Sequence, residues 1–280
     1  MTRTVEHFLS LSNAENLSTK MNLGAGCGVA IWENQNDHVR YEAPHNNTFS
    51  LYMEGGTGTR RLDAGKVSGW PGAVCIMPAG QSSEWEITKR FRFVHLYLSD
   101  ERLRSMFSET HDCDARQLDL PEANFADKPH VAQPLAELAH ASMSNNLLHA
   151  EGALTDLIGG LSGRQTRLLG GLAPHILCRV EDYVEAHLAS TIHLSDLALL
   201  ANMSAFHFNR MFRLVQGCPP HAWITKQRVR RAKQLLRSDA PLVEVAVDCG
   251  FSSQSHLTRV FREQTGRTPA QYRKLLWNTL

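Results

Sequence analysis

The sequence predicts an α+β chain, with a strand-rich N-terminal part and an all-helical C-terminal part. Three observations carry this. Short apolar runs with period-two alternation mark residues 1 to about 125. Helical spacing of apolar residues takes over from Pro129. From about residue 176 a short helical pattern occurs twice.

Residues 29–32, 49–53, 73–77 and 90–98 are the main strand candidates. In the last of these, Phe91, Phe93, His95 and Tyr97 share one face while Val94, Leu96 and Leu98 share the other. Such a strand is buried on both sides, as in a small barrel. Gly55-Gly56-Thr57-Gly58 lacks the Lys-Ser/Thr ending of a phosphate loop and reads as a hairpin turn. Leu135, Leu138, Ala139, Met143 and Leu147, then Ala153, Leu154, Leu157, Ile158 and Leu161, predict a helical pair. A Gly- and Pro-containing stretch follows and reads as a linker. The expected division is a first domain over 1–162, a linker over 163–174 and a second domain over 175–280.

With 280 residues, 42% hydrophobic and 20% charged, the composition reads as soluble and globular. No apolar run approaches a bilayer span, and MTRTVEHFLS has no signal-peptide core, so a cytoplasmic location is expected. The six cysteines lie far apart with no CxxC pair, which argues against a zinc cluster or a disulfide scaffold. The net charge of +1 hides an asymmetry: from His175 onward 14 Lys/Arg face 8 Asp/Glu, and the earlier part is acidic. A basic domain for a polyanion is one reading, clustering on solvated faces the other.

The repeat favours the first. Leu194, Leu197, Ala198 and Ala201 mark one helical face, and Leu242, Val245, Ala246 and Cys249 repeat it 48 residues later. Each is followed by a turn, with Asn202 and Gly250 suited to a left-handed conformation and Ser204 and Ser253 suited to N-cap the next helix. Beyond the turn the offset is 49: Phe208, Arg210, Phe212, Arg213, Gly217, Pro220 and Trp223 match Leu257, Arg259, Phe261, Arg262, Gly266, Pro269 and Tyr272. Helix, tight turn, helix with a basic outer face is the helix-turn-helix plan, present twice. The joining segment 221–237 is helical, with Trp223, Val229, Ala232, Leu235 and Leu236 inward and Lys226, Arg228, Arg230, Arg231, Lys233 and Arg237 wet. Its length of roughly 25 Å would hold two reading heads about one DNA turn apart.

On the first recognition helix Phe208, Met211, Phe212 and Val215 form the inward stripe, which leaves Phe206, Asn209, Arg210 and Arg213 outward. Arg210 can pair bidentately with guanine, Asn209 with adenine, and Phe206 can meet a thymine methyl; Arg213 reads as a base or phosphate contact. On the second, Leu257, Val260, Phe261 and Gln264 turn inward. Gln254, Ser255, His256, Thr258 and Arg259 are outward, for base reading or phosphate anchoring.

The run from Ala246 through Gly250-Phe251-Ser252-Ser253-Gln254-Ser255-His256-Leu257 to Arg259, Phe261, Gly266, Pro269, Tyr272 and Arg273 resembles the AraC/XylS family of bacterial transcription regulators, and the likeness extends over about 176–274. It departs at Cys249, where a small or apolar residue is usual, and at His193, where a Ser or Thr cap is common. The resemblance implies a DNA-binding transcription regulator, mostly of the activating kind, with promoter DNA and RNA polymerase as partners. In the family the positions of Phe206, Asn209 and Arg210 read bases, and the helical pair after the barrel often makes a homodimer.

Gly72, Pro78 and Gly80 resemble the second motif of the cupin barrel, the usual sensor of that family. The cupin metal histidine would fall at Ser83, and the first motif's His-x-His has no counterpart near His45, so neither metal nor cofactor is expected. The barrel reads as a cavity for a small-molecule effector, not as an enzyme. Tyr52, Trp85 and His95 are candidates for an aromatic pocket, with Arg60, Arg61 and Arg92 as anion holders. The same residues read equally as barrel packing or strand surface. A cupin-type metalloenzyme, or a DNA-repair protein fused to the same DNA-binding module, is the rival reading. A ligand-independent architectural protein is another.

Overall fold

Strand β9 (Phe91–Ser99) shows how the N-terminal part is built, because its two faces serve two different cores. The computed structural model describes residues 3–161, apart from 19, 25 and 66, and residues 172–278. It divides into two compact units, Met1–Arg167 and Leu168–Leu280. Most of the expected linker, 163–171, lies outside the described residues.

In the first unit, β1 (Glu15–Asn16), β2 (Met21–Asn22), β3 (Cys27–Asn34), β5 (Asn46–Glu54), β7 (Val74–Met77), β9 and β10 (Ala123–Ala126) make one antiparallel sheet. Its order is β1-β3-β9-β5-β7-β10, with β2 also paired to β3. The second sheet is β4 (Asp37–Tyr41), β8 (Ser83–Ile87) and β6 (Thr59–Arg61), with β8 central. Phe91, Phe93 and Tyr97 enter a core shared with Trp32, Tyr52, Phe125, Tyr41 and Trp85, so the two sheets enclose one aromatic interior. The short helix α1 (Val5–Leu9) adds Val5 and Leu9 to it. Among the described residues no hydrogen-bonded ladder joins the sheets, so the expected barrel is instead an open two-sheet sandwich.

Val94, Leu96 and Leu98 face the other way, into a core with α2 (Asp100–His111), α3 (Pro129–Met143) and α4 (Leu147–Leu161). Leu135, Leu138, Ala139, Ala153, Leu154, Leu157 and Ile158 all lie in that core. The apolar stripe of the helical pair is therefore covered by its own sheet, except at Met143, which is exposed, and Leu147, which is half-buried. The expected hairpin at 55–58 is a corner instead, because β5 and β6 belong to different sheets. Gly55 and Gly56 take φ of 73° and 96°, and a Cβ on Gly56 would lie 2.5 Å from the Tyr52 ring, so a side chain is excluded twice over.

The second unit is helical: α5 (Pro174–Ala186), α6 (Leu194–Leu200), α7 (Ala205–Gln216), α8 (Pro220–Leu235), α9 (Leu242–Asp248), α10 (Gln254–Thr265) and α11 (Pro269–Asn278). The repeat is visible in its packing. Phe212 meets Trp223 edge to face at 5.8 Å, and Phe261 meets Tyr272 in the same way at 5.3 Å. Leu197, Ala198, Phe208 and Phe212 are buried in the first half, as are Val245, Ala246, Leu257 and Phe261 in the second. Val215 and Gln264, expected inside, are exposed, since the last turns of α7 and α10 run past the core they share with the helices around them. Among the described residues no helix is long and apolar enough to cross a membrane.

His95 gives the first unit a pH signature. It is buried, with Nδ1 3.2 Å from the Tyr97 hydroxyl, and burial pulls its pKa down to about 3. An unfolded histidine titrates near 6.5, so acid drives a proton onto the unfolded chain alone. This stability is fully present above about pH 6.5 and is lost as pH falls toward 3, by about 1.4 kcal/mol per pH unit. In urea unfolding of the full chain, His95→Gln should flatten the slope between pH 6.5 and 4.5. An unchanged slope would show that another group causes it.

Candidate nucleic-acid interface

Each recognition helix is started by a serine and stopped by a glycine. Ser204 accepts from the His207 amide at 3.3 Å and Ser253 from the His256 amide at 3.1 Å, satisfying donors that helix starts leave open. Gly217 and Gly266 end the helices in the left-handed region. The turns before them hinge on Asn202 at φ 53° and Gly250 at φ 73°, as their residue types predict. His193 begins α6 without a Ser or Thr; its backbone N–H donates to Asp196 at 3.3 Å, which keeps that end capped.

On α7, Arg213 is exposed, and Phe206 and Arg210 are half-buried. Asn209 is only 1% exposed, which removes it from the outward set. It lies one residue after Phe208 and three before Phe212, both fully buried, so α7 is embedded over a wider arc than the apolar stripe implies. On α10, Gln254, Ser255 and Arg259 are exposed and, with Thr258, Arg262, Glu263 and Thr268, line one concave surface. Glu263 and Thr268 escaped the sequence reading, and Arg262 entered it only as the counterpart of Arg213, although Arg262 and Glu263 stand three and four places after Arg259 and so share its face. Arg259 Nη1 donates to Glu263 Oε1 at 2.9 Å. His256 is not presented outward: its ring stands edge-on to Phe251 at 5.4 Å, and Nδ1 lies 3.0 Å from the Ser252 hydroxyl. Burial, aided by Arg259 and Arg228, pulls its pKa down and keeps the ring neutral at pH 7.

On the joining helix, Arg228, placed by its sequence position on the wet face with a structural or phosphate-facing role, takes the structural one: Nε donates to Leu188 O at 3.1 Å and Nη2 to Ser190 O at 3.0 Å. Its guanidinium crosses the place where a Cβ on Gly250 would stand, 2.3 Å from Leu188 O and 2.9 Å from Arg228 Nε. Arg230 and Arg231 remain exposed.

In the first unit, Tyr52, Trp85 and His95 converge on one cavity between the sheets. The three arginines do not. Arg60 pairs with Glu86 at 2.5 Å on the outside of the small sheet. Arg61 is buried but held by Asp63 at 2.8 Å, by Asn124 at 2.8 Å and by Glu122, with its guanidinium over the Trp85 ring at 5.7 Å. Arg92 pairs with Glu33 at 2.7 Å and Glu54 at 3.4 Å. Each has carboxylate partners already, so none stands ready for an anionic ligand. Among the described residues no group of three or more His, Cys, Asp or Glu is placed to hold a metal ion.

A family model described as a helix-turn-helix domain matches residues 197–275. The HTH-type transcriptional regulator ExsA of Pseudomonas aeruginosa is 37% identical over 97 residues, which are 34% of this chain and 35% of that protein. The regulatory protein PocR of Salmonella typhimurium is 36% identical over 93 residues, 33% of this chain and 31% of its own. The right origin-binding protein of Escherichia coli is 36% identical over 93 residues, 33% of this chain and 32% of its own. The match thus spans about a third of each of these relatives. A crystal structure of the DNA-binding domain of AdpA in complex with a target DNA is similar at 40% identity, covering 35% of this chain and 90% of that one with a TM-score of 0.34.

The Gly250 crossing yields a direct test. Gly250→Ala places a methyl group against Leu188 O at a left-handed position and should lower stability by at least about 2 kcal/mol. Thermal unfolding of the full chain reads this; a melting temperature within a degree of the parent would refute the close approach.

Proposed function

We propose that this chain, whose C-terminal part is a helix-turn-helix domain of the AraC type, is a sequence-specific DNA-binding transcription regulator. The observation that carries the reading is the doubled unit: two recognition helices with basic outer faces, joined by the 16-residue helix α8. At 1.5 Å per residue α8 is roughly 24 Å long, which suits α7 and α10 to successive major grooves on one side of the duplex. In this reading Arg210 and Arg259 reach base edges, and Phe206, Gln254 and Ser255 contact neighbouring edges. Arg213 and Arg262 hold phosphates. Asn209 and His256 support their helices from within.

The N-terminal sandwich is the sensor, cupin-like in its two facing sheets, and the chain works in the cytoplasm as an activator in contact with RNA polymerase. Its small-molecule effector must bind two arrangements of the chain with different affinity, because equal affinity shifts nothing. A homodimer would have to use surfaces other than the part of the α3 and α4 stripe that its own sheet covers. The likeness to a protein named for origin binding favours a second reading, a DNA-binding protein without a promoter role. Transcription in vitro from a promoter carrying the selected site separates the two.

Two variants test the assignment on a site selected from random DNA. Arg210→Ala should lose about 1–3 kcal/mol on that site and relax discrimination at one base pair. Equal losses on selected and random DNA would take base reading away from Arg210. Glu263→Gln removes a negative charge beside the phosphates and frees Arg259. Affinity for random DNA should rise, and the salt dependence should steepen by up to about one phosphate contact. An unchanged slope would place Glu263 away from the backbone.

A further inference from the structure

A half-enclosed groove of about 560 Å³ runs between α5 and α8, within the usual size range of small-molecule sites. One wall is Glu181, Val184 and Glu185 of α5, with Leu188 just beyond its end. The other is Trp223, Gln227, Arg230, Arg231 and Gln234, which recur at helical spacing and so form one stripe along α8. Asp248 of α9 completes the lining. Glu185, Arg230, Arg231 and Asp248 are exposed, and among the described residues their side chains make no hydrogen bond or ion pair. The side-chain amides of Gln227 and Gln234 are equally unengaged there. Opposite charges thus face one groove without closing it.

The charges are sorted by end. Glu181 accepts from Gln216 at 3.2 Å, and Trp223 meets Phe212 edge to face at 5.8 Å, so both belong to the end beside the last turns of α7. Glu185 is one turn further along α5. Arg231 and Asp248 mark the end beside α9: burial raises the Cys249 thiol to about 11, and through space Arg231 lowers it while Asp248 raises it. Three carboxylates against two guanidiniums make the groove a poor seat for a phosphate backbone. Arg230 and Arg231 suit a single carboxylate, which a guanidinium can hold with two bonds. A cation suits the other end, between carboxylates and the indole face of Trp223. The two glutamine amides between them both give and accept hydrogen bonds, as a peptide group requires. Arg230 follows Trp223 by seven residues, roughly 10 Å along α8, and three extended residues span about the same distance.

We infer that this groove binds a free peptide of two or three residues. Its ammonium end lies by Glu181, Glu185 and Trp223, its carboxylate is held by Arg230 and Arg231, and its amides meet Gln227 and Gln234. Small apolar side chains rest on Val184 and Leu188. The site lies wholly within the helix-turn-helix domain, apart from the recognition faces of α7 and α10, and does not depend on the regulator reading above.

Trialanine is the probe, titrated into the full chain and followed by the indole N–H resonance of Trp223. It should give saturable shifts. N-acetyl-trialanine and trialanine amide each lack one terminal charge and should bind roughly threefold to tenfold more weakly. Trialanine should weaken by a similar factor on Glu185→Gln and on Arg230→Gln, whose parent side chains are exposed and unbonded, so that both variants keep the fold. No saturable shift with trialanine would overturn the inference. So would equal affinity for N-acetyl-trialanine, which would make the groove a reader of carboxylates or protein chain ends. Lower DNA affinity in Arg230→Gln with trialanine binding unchanged would return that arginine to the phosphates and overturn it as well.

Discussion

The arrangement of the DNA-binding domain depends on one guanidinium. Arg228 projects from α8 and donates to two backbone carbonyls, Leu188 and Ser190, in the segment between α5 and α6. Charged donors to carbonyls are the stronger class of hydrogen bond, at about 1.5–3 kcal/mol each. The guanidinium can reach them only because position 250 has no side chain. One contact thus ties together the approach to the first helix-turn-helix, the joining helix and the turn of the second helix-turn-helix. The separation of the two recognition helices is a consequence of that crossing as much as of the length of α8.

The first unit obeys a different constraint. A strand buried on both faces must offer each face a complete partner, and β9 does so with aromatic residues inward and aliphatic residues toward the helices. The aromatic side is where polarity is trapped. Trp32 Nε1 donates to the Tyr97 hydroxyl at 2.9 Å, and that hydroxyl lies against His95. Arg61 closes the other side of the sandwich with carboxylates from two segments. Removing either network would leave buried polar groups unsatisfied, a larger penalty than the hydrogen bonds themselves contribute.

What could be read from the sequence follows the range of the interactions involved. The two helix-turn-helix units were legible because a helical stripe, a cap and a left-handed turn residue all act within a few positions. Strands β3, β5, β7 and β9 were legible for the same reason. The errors came from partners far along the chain. Arg61 looked available because Glu122 is remote in sequence, and the carbonyls that Arg228 would hold could not be named because Leu188 and Ser190 lie on another segment. Asn209 looked outward because a single helix does not reveal how many neighbours surround it. Closure of the barrel failed likewise, since edge pairing between distant strands leaves no local signal.

The repeat is symmetric in its core and asymmetric on its surface, and that difference has a physical meaning. Phe212 with Trp223 and Phe261 with Tyr272 preserve the same packing. Outside, Arg210 has the exposed, apolar Leu214 four residues on, where Arg259 has Glu263. An arginine held by a glutamate on its own helix must share or surrender that contact to reach a base, whereas its counterpart faces no such competition. The first helix-turn-helix is then expected to supply more of the electrostatic affinity, and the second to respond more sharply to what it touches. Two halves built alike but charged differently would meet different DNA surfaces within one site.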